Sequence, residues 1–535
     1  MIDNMLQKRM LQRALVLVLI FLMTAGLCAC GNNTEDGSPK DPKPNKGQGM
    51  RLSDADWNKD VKTGINDLLD TYGVYGKGKS SGNYVVFDFD NTCAIFDIEE
   101  QTLIYQIETM SFDIQPYQLK EILLTGINDP YADLEDYGYE GVTYDALAQN
   151  ITDDYSNMWY RYSGISAAGV SEDNRKLLEE DPYWKDFAAK LRLMYNLIKK
   201  SESADVASPW ITYLYSGMSD DEVYDLTKRC LKEYSKVKTS KVTWKSPSDL
   251  DTSVGKVKVK WTKGVSVPKN INELWHALSD NNIDVWVCSD SAPGVIRAAI
   301  DSFDLHKYCS GVIGMTPQTD YYGQYKNAYD YDTGCGYYAD SEGWSKMKNP
   351  TKAQTQGEGM VEAIVNAISP EYSDHGPIAG FMASTDDFNF CTELDSLALV
   401  VCFNRADRKV TDGAGLIAEI AVYEGDTLNY DLEKATENGD TLYLLQGRDE
   451  NGRRSLRGSA LTVKYGKTEE KLFDGSKNEE QLQSMKDRDM TIWDICDKYV
   501  LESSDEDNGL SFKTGFLETY SGYHSIHLGE GSPEM

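Results

Sequence analysis

The chain has 535 residues, enough for a large core and two to four domains, and carries 54 Lys and Arg against 86 Asp and Glu, a net charge of −32. A surface that acidic repels nucleic acid and anionic lipid head groups, so no nucleic-acid partner is expected. Any phosphate-bearing ligand must be neutralised locally by a metal or a few basic residues, which points to a small-molecule site.

The first thirty residues carry Lys8, Arg9 and Arg13, an apolar run from Ala14 to Leu22, and small residues up to LCAC at 27–30. That is the layout of an export signal, not of a membrane span. Leu27-Cys28-Ala29-Cys30 resembles the bacterial lipobox, in which the last cysteine becomes the mature N-terminus and receives a diacylglyceryl group. Cys30 is therefore the expected lipid anchor, residues 1–30 the signal peptide, and the extracytoplasmic face of a bacterial cell membrane the expected location. An ordinary secretory signal with a chance cysteine pair is the plainer alternative. Residues 31–50, GNNTEDGSPKDPKPNKGQGM, are polar and broken by proline and glycine, and read as a flexible tether.

Residues 53–72 run in helical period after a candidate Ser53 cap, and the chain then turns through glycines into the strand-like YVVF. Gly73, Gly78, Lys79 and Ser80 fit G-x-x-x-x-G-K-S. A nucleotide-cradling loop needs strand, glycines and then helix, so that helix amides face the phosphates; here the order is reversed, which argues against it. Three further strand-like runs, IDVWVCSDS (283–291), PIAGFMASTDD (377–387) and SLALVVCFNR (396–405), alternate with helical stretches. That alternation predicts a mainly parallel, doubly wound, Rossmann-like α/β sheet with its site at the carboxyl ends of the strands.

The predicted core comprises residues 51–97 and 281–410. Residues 98–280 read as a large, mainly helical cap insertion rich in aromatics, among them Tyr131, Tyr144, Tyr155, Tyr160 and Trp184, and residues 411–535 as a strand-poor C-terminal extension. Eight cysteines follow Cys30, at 93, 230, 288, 309, 335, 391, 402 and 496, with no C-x-x-C pair. Five histidines show no H-E-x-x-H, and no G-x-S-x-G elbow is present, so zinc and serine-nucleophile chemistry are not expected.

Asp88 and Asp90 follow the first strand directly. Two acids one residue apart at a strand end can divide labour, one attacking and one moving protons, although an Asx turn with a helix cap needs the same residues. With Thr92, the stretch VVFDFDNT resembles the first motif of the haloacid dehalogenase superfamily of phosphohydrolases. Ser289 in WVCSDS resembles the second motif, and the flanks DIEEQTLIYQIE and FNR are similar to the branch containing phosphoserine and phosphorylcholine phosphatases.

The resemblance implies phosphoester hydrolysis through an aspartyl phosphate, with Asp88 as nucleophile, Asp90 as acid and base, and Thr92 and Ser289 on phosphoryl oxygens. It also implies a magnesium ion held by Asp88, Asp90 and either Asp386 or Asp387. Two positions depart from the family pattern: Met360 stands where the third motif offers a lysine, with Lys352 the nearest substitute, and Ser384 stands where the fourth motif has its first acid. A small phosphomonoester of the phosphoserine, phosphocholine or phosphoethanolamine type is the implied substrate, and cap aromatics could hold a quaternary ammonium. The alternative is a binding lipoprotein on this fold with impaired turnover.

Overall fold

In the computed structural model, the described residues are 49–250, 252–329, 334–348, 353–405, 421, 431–439, 441–451, 456–459, 462–465 and 468–471. Cys30, tether residues 31–48, Lys352, Cys496 and most of the C-terminal extension lie outside them. Among the described residues, no helix is long and apolar enough to cross a membrane.

Helix α1 (Lys59–Tyr72) leads into strand β1 (Tyr84–Phe87). Asn58, rather than Ser53, caps α1, its side chain accepting from the N–H groups of Asp60 and Val61. Gly73 closes that helix ahead of the strand, so the glycine-rich stretch lies in the order that a phosphate-cradling loop cannot use. All four residues of β1 are buried, and the period of two sends Val85 and Phe87 into one apolar cluster and Tyr84 and Val86 into the other. Both faces of the strand are therefore covered, which is why its sequence is continuously apolar instead of alternating.

The other strands are β2 (Ser240–Lys245), β3 (Lys258–Lys263), β4 (Asp284–Ser289), β5 (Gly311–Gly314), β6 (Cys335–Asp340), β7 (Gly343–Lys346), β8 (Ala379–Met382), β9 (Leu399–Phe403), β10 (Leu442–Asp449), β11 (Leu456–Arg457), β12 (Thr462–Tyr465) and β13 (Thr468–Lys471). Eleven of them form one sheet in the order β13-β12-β10-β9-β8-β1-β4-β5-β6-β7, with β11 beside β10. The run from β10 to β5 is parallel throughout, so the carboxyl ends of β1, β4 and β8 lie side by side at its centre. The expected α/β class with a mainly parallel sheet is what the chain adopts.

Two expected boundaries shift. The residues after 410 are not mere decoration: β10 pairs with β9 from Leu442↔Leu399 to Gln446↔Phe403. LYLL is apolar enough for a buried strand, but its partner lies more than forty residues upstream. The helix Lys269–Asp280, inside the expected insertion, packs against the sheet, with Trp275 5.4 Å from the Phe87 ring. The insertion proper leaves and rejoins the core where Ile95 N–H donates to Ser266 O at 2.7 Å.

That insertion is mainly helical, with the β2–β3 hairpin as its one sheet among the described residues. Its helix α2 (Ile98–Thr109) leaves the core. Helix α3 (Pro182–Ser201) spans the insertion, and helix α4 (Asp220–Tyr234) returns toward helix α5 (Pro293–Ser302) of the core. Asp220 fixes that return: its carboxylate accepts from Arg297 Nη2 at 2.6 Å, from the Gly294 N–H at 2.8 Å and from the Tyr325 hydroxyl at 2.6 Å. The cap aromatics mostly build its interior. Tyr155 packs on Phe112 and Phe187 and donates to Ile114 O, and Trp184 donates to Ile107 O, whereas Tyr131 and Tyr160 face solvent.

Candidate active site

Asp88 follows β1 directly and is buried, as are Asp90 and Thr92. The chain can turn so tightly there because Asn91 takes a left-handed conformation at φ 63°, one that asparagine tolerates better than most residues. Thr92 Oγ1 donates to Asp88 Oδ2 at 2.7 Å. The threonine hydroxyl expected on a phosphoryl oxygen is thus engaged with the carboxylate itself, fixing Oδ2 and leaving Oδ1 as the oxygen without a hydrogen bond.

Asp90 is held at both oxygens. Oδ1 accepts from the Ile98 N–H at 2.6 Å, and Oδ2 from the Ser291 hydroxyl at 2.5 Å. Ser289 ends β4 and is fully buried; its Oγ accepts from the Ser291 N–H at 3.2 Å, and its carbonyl oxygen accepts from Thr355 Oγ1. Glu99 is buried beside them and accepts from the Ala292 N–H at 3.1 Å.

The third contribution comes from the end of β8. Asp387 is buried, and its Oδ2 accepts from Ala383 N–H at 3.1 Å, Ser384 N–H at 2.8 Å and Ser384 Oγ at 3.1 Å. Ser384, where an acid was expected, thus positions Asp387. Asp386 is half-buried, and its carbonyl accepts at 2.9 Å from the N–H of Gly357, which sits at φ 54°. Met360, at the expected lysine position, is fully buried in the apolar cluster with Tyr84, Val86 and Ile364. It points its chemistry into the core and supplies no cation.

Electrostatically, Asp88, Asp90, Asp290, Asp386 and Asp387 form one field. Burial, then the charges of Asp387, Asp290 and Asp90, push Asp88 well above the usual carboxylate range. Burial and Asp97 do the same to Asp90, burial and Asp386 to Asp290, and burial raises Asp387 to about 7 despite its three donors. Burial and then Glu100 raise Asp97 as well, against the opposing charges of Lys199 in the last turn of α3 and Arg405 after β9. Lys199 is reached by solvent, its ammonium lies 5.3 Å from the Tyr195 ring, and Tyr195, Glu100, Asp97 and Asp386 hold it protonated.

Arg448 of β10 is buried, donates through Nη1 to the carbonyl of Asn91 and through Nε to Glu450 at 2.8 Å. A residue 357 positions away in sequence therefore props the loop just after the two aspartates. Sequence reasoning missed Ser291, Asp290, Glu99 and Arg448. The signal for the first two was present, since the S-D-S at 289–291 places three polar groups at a strand end.

The donor set suits a hard cation: only oxygen ligands, several of them buried carboxylates that repel one another. Among the described residues, no three His, Cys, Asp or Glu side chains are gathered closely enough to enclose a metal. Magnesium does not require that, since it is bound through one or two carboxylates and keeps much of its water. Asp88 and Asp387, each with one oxygen outside the hydrogen bonds described, fit that need. Cysteines 93, 230, 288, 309, 391 and 402 are buried and outside any disulfide.

No family model matches the chain, and no curated protein matches it. Among solved structures it is similar to the crystal structure of a conserved, functionally unknown protein from Anaerococcus prevotii. The identity is 22%, the match covers 77% of this chain and 97% of that one, and the TM-score is 0.58. At that identity the likeness establishes the fold alone: an α/β architecture built on a large, mostly parallel sheet.

Proposed function

We propose that the chain is a phosphomonoesterase of the haloacid dehalogenase type, hydrolysing a small phosphorylated metabolite through an aspartyl phosphate. The observation that carries the reading is the arrangement of Asp88. It is buried at the carboxyl end of a central parallel strand, with Thr92 on Oδ2 and Oδ1 open. In the proposed reaction Oδ1 attacks phosphorus, the bond to the leaving oxygen breaks, and Asp90 gives that oxygen its proton. Asp90 then takes a proton from water, whose oxygen attacks phosphorus, releasing phosphate and restoring Asp88.

Ser289 would hold a phosphoryl oxygen, while Lys199 and Arg405 supply positive potential at the mouth of an otherwise acidic site. Magnesium, held by Asp88, Asp387 and the Asp90 carbonyl, with Asp386 nearby, would screen the repulsion between carboxylate and phosphate. The burial of most cap aromatics removes the argument for a quaternary-ammonium cage and leaves phosphoserine, phosphocholine and phosphoethanolamine as equal substrate types. Membrane attachment through Cys30 belongs to the same proposal.

The test is phosphate release by the full chain from a panel of phosphomonoesters, with and without magnesium, beside Asp88→Asn. Metal-dependent turnover abolished by the substitution is expected. Tight magnesium-dependent binding with no turnover would instead favour a binding lipoprotein, the reading that Met360 and Ser384 motivate.

A further inference from the structure

Between residues 236 and 263 the chain carries eight lysines and two aspartates, in a protein whose acids outnumber its bases 86 to 54. The structure sorts them. In the β2–β3 hairpin Lys245 lies opposite Lys258, Thr243 opposite Lys260, and Lys241 opposite Thr262. Alternation turns Trp244, Val259 and Trp261 inward, with the two tryptophan rings 5.0 Å apart, and leaves the other face to lysine and threonine alone.

Lys241, Lys245, Lys258 and Lys260 are all exposed. Like charges directly opposite each other weaken a hairpin, yet Lys245 faces Lys258. The hairpin's ion pairs are made instead by Lys263, which reaches Glu108 at 3.1 Å and Glu233 at 3.9 Å. Among the described residues, no carboxylate pairs with Lys245, Lys258 or Lys260. Four ammonium groups thus stand over a patch of roughly 5 by 14 Å, judged from strand spacing and rise per residue. Lys241 donates to Thr262 Oγ1 across the strands at 2.8 Å, and the like charges of Lys245, Lys258 and Lys260 stand beside it.

We propose that this face docks on an anionic phospholipid bilayer and sets the orientation of the domain on the membrane. Charge complementarity selects the partner class, and the make-up of the face selects the bilayer. It presents neither the arginine forks that grip phosphates bidentately nor the aromatic rings on which bases stack. Lysine ammoniums act as hydrated point charges, the form in which basic segments meet acidic head groups. The net charge of so acidic a protein is repelled, and this face supplies a local attraction that acts within a Debye length. The inference is independent of the hydrolytic reading.

Lysine footprinting of the full chain with an amine-acylating reagent tests it, using vesicles of phosphatidylcholine alone or mixed with phosphatidylglycerol. Lys245, Lys258 and Lys260 should lose reactivity several-fold on the anionic vesicles only, and recover it at high salt. In a variant with Lys241, Lys245, Lys258 and Lys260 all changed to Gln, the flanking Lys236, Lys238 and Lys256 should react equally on both vesicles. The corresponding four-arginine variant should keep their protection, separating charge loss from misfolding. Equal reactivity of the wild type on both vesicles overturns the proposal. So does equal protection by soluble single-stranded DNA or polyphosphate, which would make the partner a polymer.

Discussion

The Ser291 hydroxyl donates to Asp90 Oδ2 at 2.5 Å, and the Ile98 N–H donates to the other oxygen at 2.6 Å. One donor belongs to the core turn after β4 and the other opens the first helix of the insertion, so both parts of the chain set the orientation of the proposed acid. Ser291→Ala is expected to lower kcat on alkyl phosphomonoesters by about 10- to 100-fold, within the range of general-acid contributions. Hydrolysis of p-nitrophenyl phosphate, whose leaving group needs no proton, should fall far less. Steady-state kinetics on both substrates, with Ser291→Thr as the restoring variant, check this, and equal losses would contradict it.

Ser384 gives Asp387 two of its three hydrogen bonds, one from the backbone and one from the side chain. Ser384→Ala removes only the second. The magnesium concentration for half-maximal activity should rise about 10-fold, as when a partner orienting a metal ligand is lost, with kcat at saturating metal little changed. A magnesium titration reads both.

Arg448 couples the sheet's β10 to the carbonyl of Asn91 and pairs with the buried Glu450. Arg448→Met removes one side of that buried ion pair together with the donor to Asn91, and should cost about 3–5 kcal/mol in denaturant unfolding. Adding Glu450→Leu should recover much of the stability while activity stays depressed, because the loop bearing Asp88 and Asp90 has lost its prop. Recovery of activity together with stability would reduce Arg448 to a packing role.

Within the insertion, Asp154 is raised to about 8 by burial and by Asp186, against the opposing charge of Lys190, with Asp153 adding to the repulsion. Lys190 is fully buried and donates to Asp186 at 2.7 Å, Asn150 at 3.1 Å and Thr252 at 2.6 Å. The folded state therefore keeps a proton on Asp154 that the unfolded chain releases near its ordinary value of 3.8. The stabilisation is complete below that value and is lost as pH rises through about 8. Asp154→Asn, whose amide can donate to Asp186 at any pH, should raise Tm at pH 8 and leave it nearly unchanged at acid pH. Thermal melts across the range check the sign.

The centre of the fold was legible because it is made of short, continuously apolar strands between helices: YVVF, the run ending at Ser289, and those after Pro377 and Ser396. Asp88, Asp90 and Asp387 were legible for the same reason, as acids at the ends of such strands. Arg448 was not, since nothing near it in sequence indicates that β10 lies beside β9 and reaches Asn91. The hydrogen bond from Thr92 to Asp88 was not legible either, since a hydroxyl one turn after a carboxylate can face it or a ligand equally. The lysine face was written plainly in K-V-T-W-K and K-V-K-W-T-K, but an average charge of the whole chain conceals a local reversal of sign.

The clamp on Asp220 bears on how a substrate reaches the acids. A rigid swing of the insertion would have to pull Arg297 from a buried carboxylate and drag the helix that starts two residues after Ser291. The insertion is therefore a fixed wall of the site. Access to the acids then depends on movement of side chains such as Lys199, and turnover should be insensitive to cross-links that join the insertion to the core at Asp220.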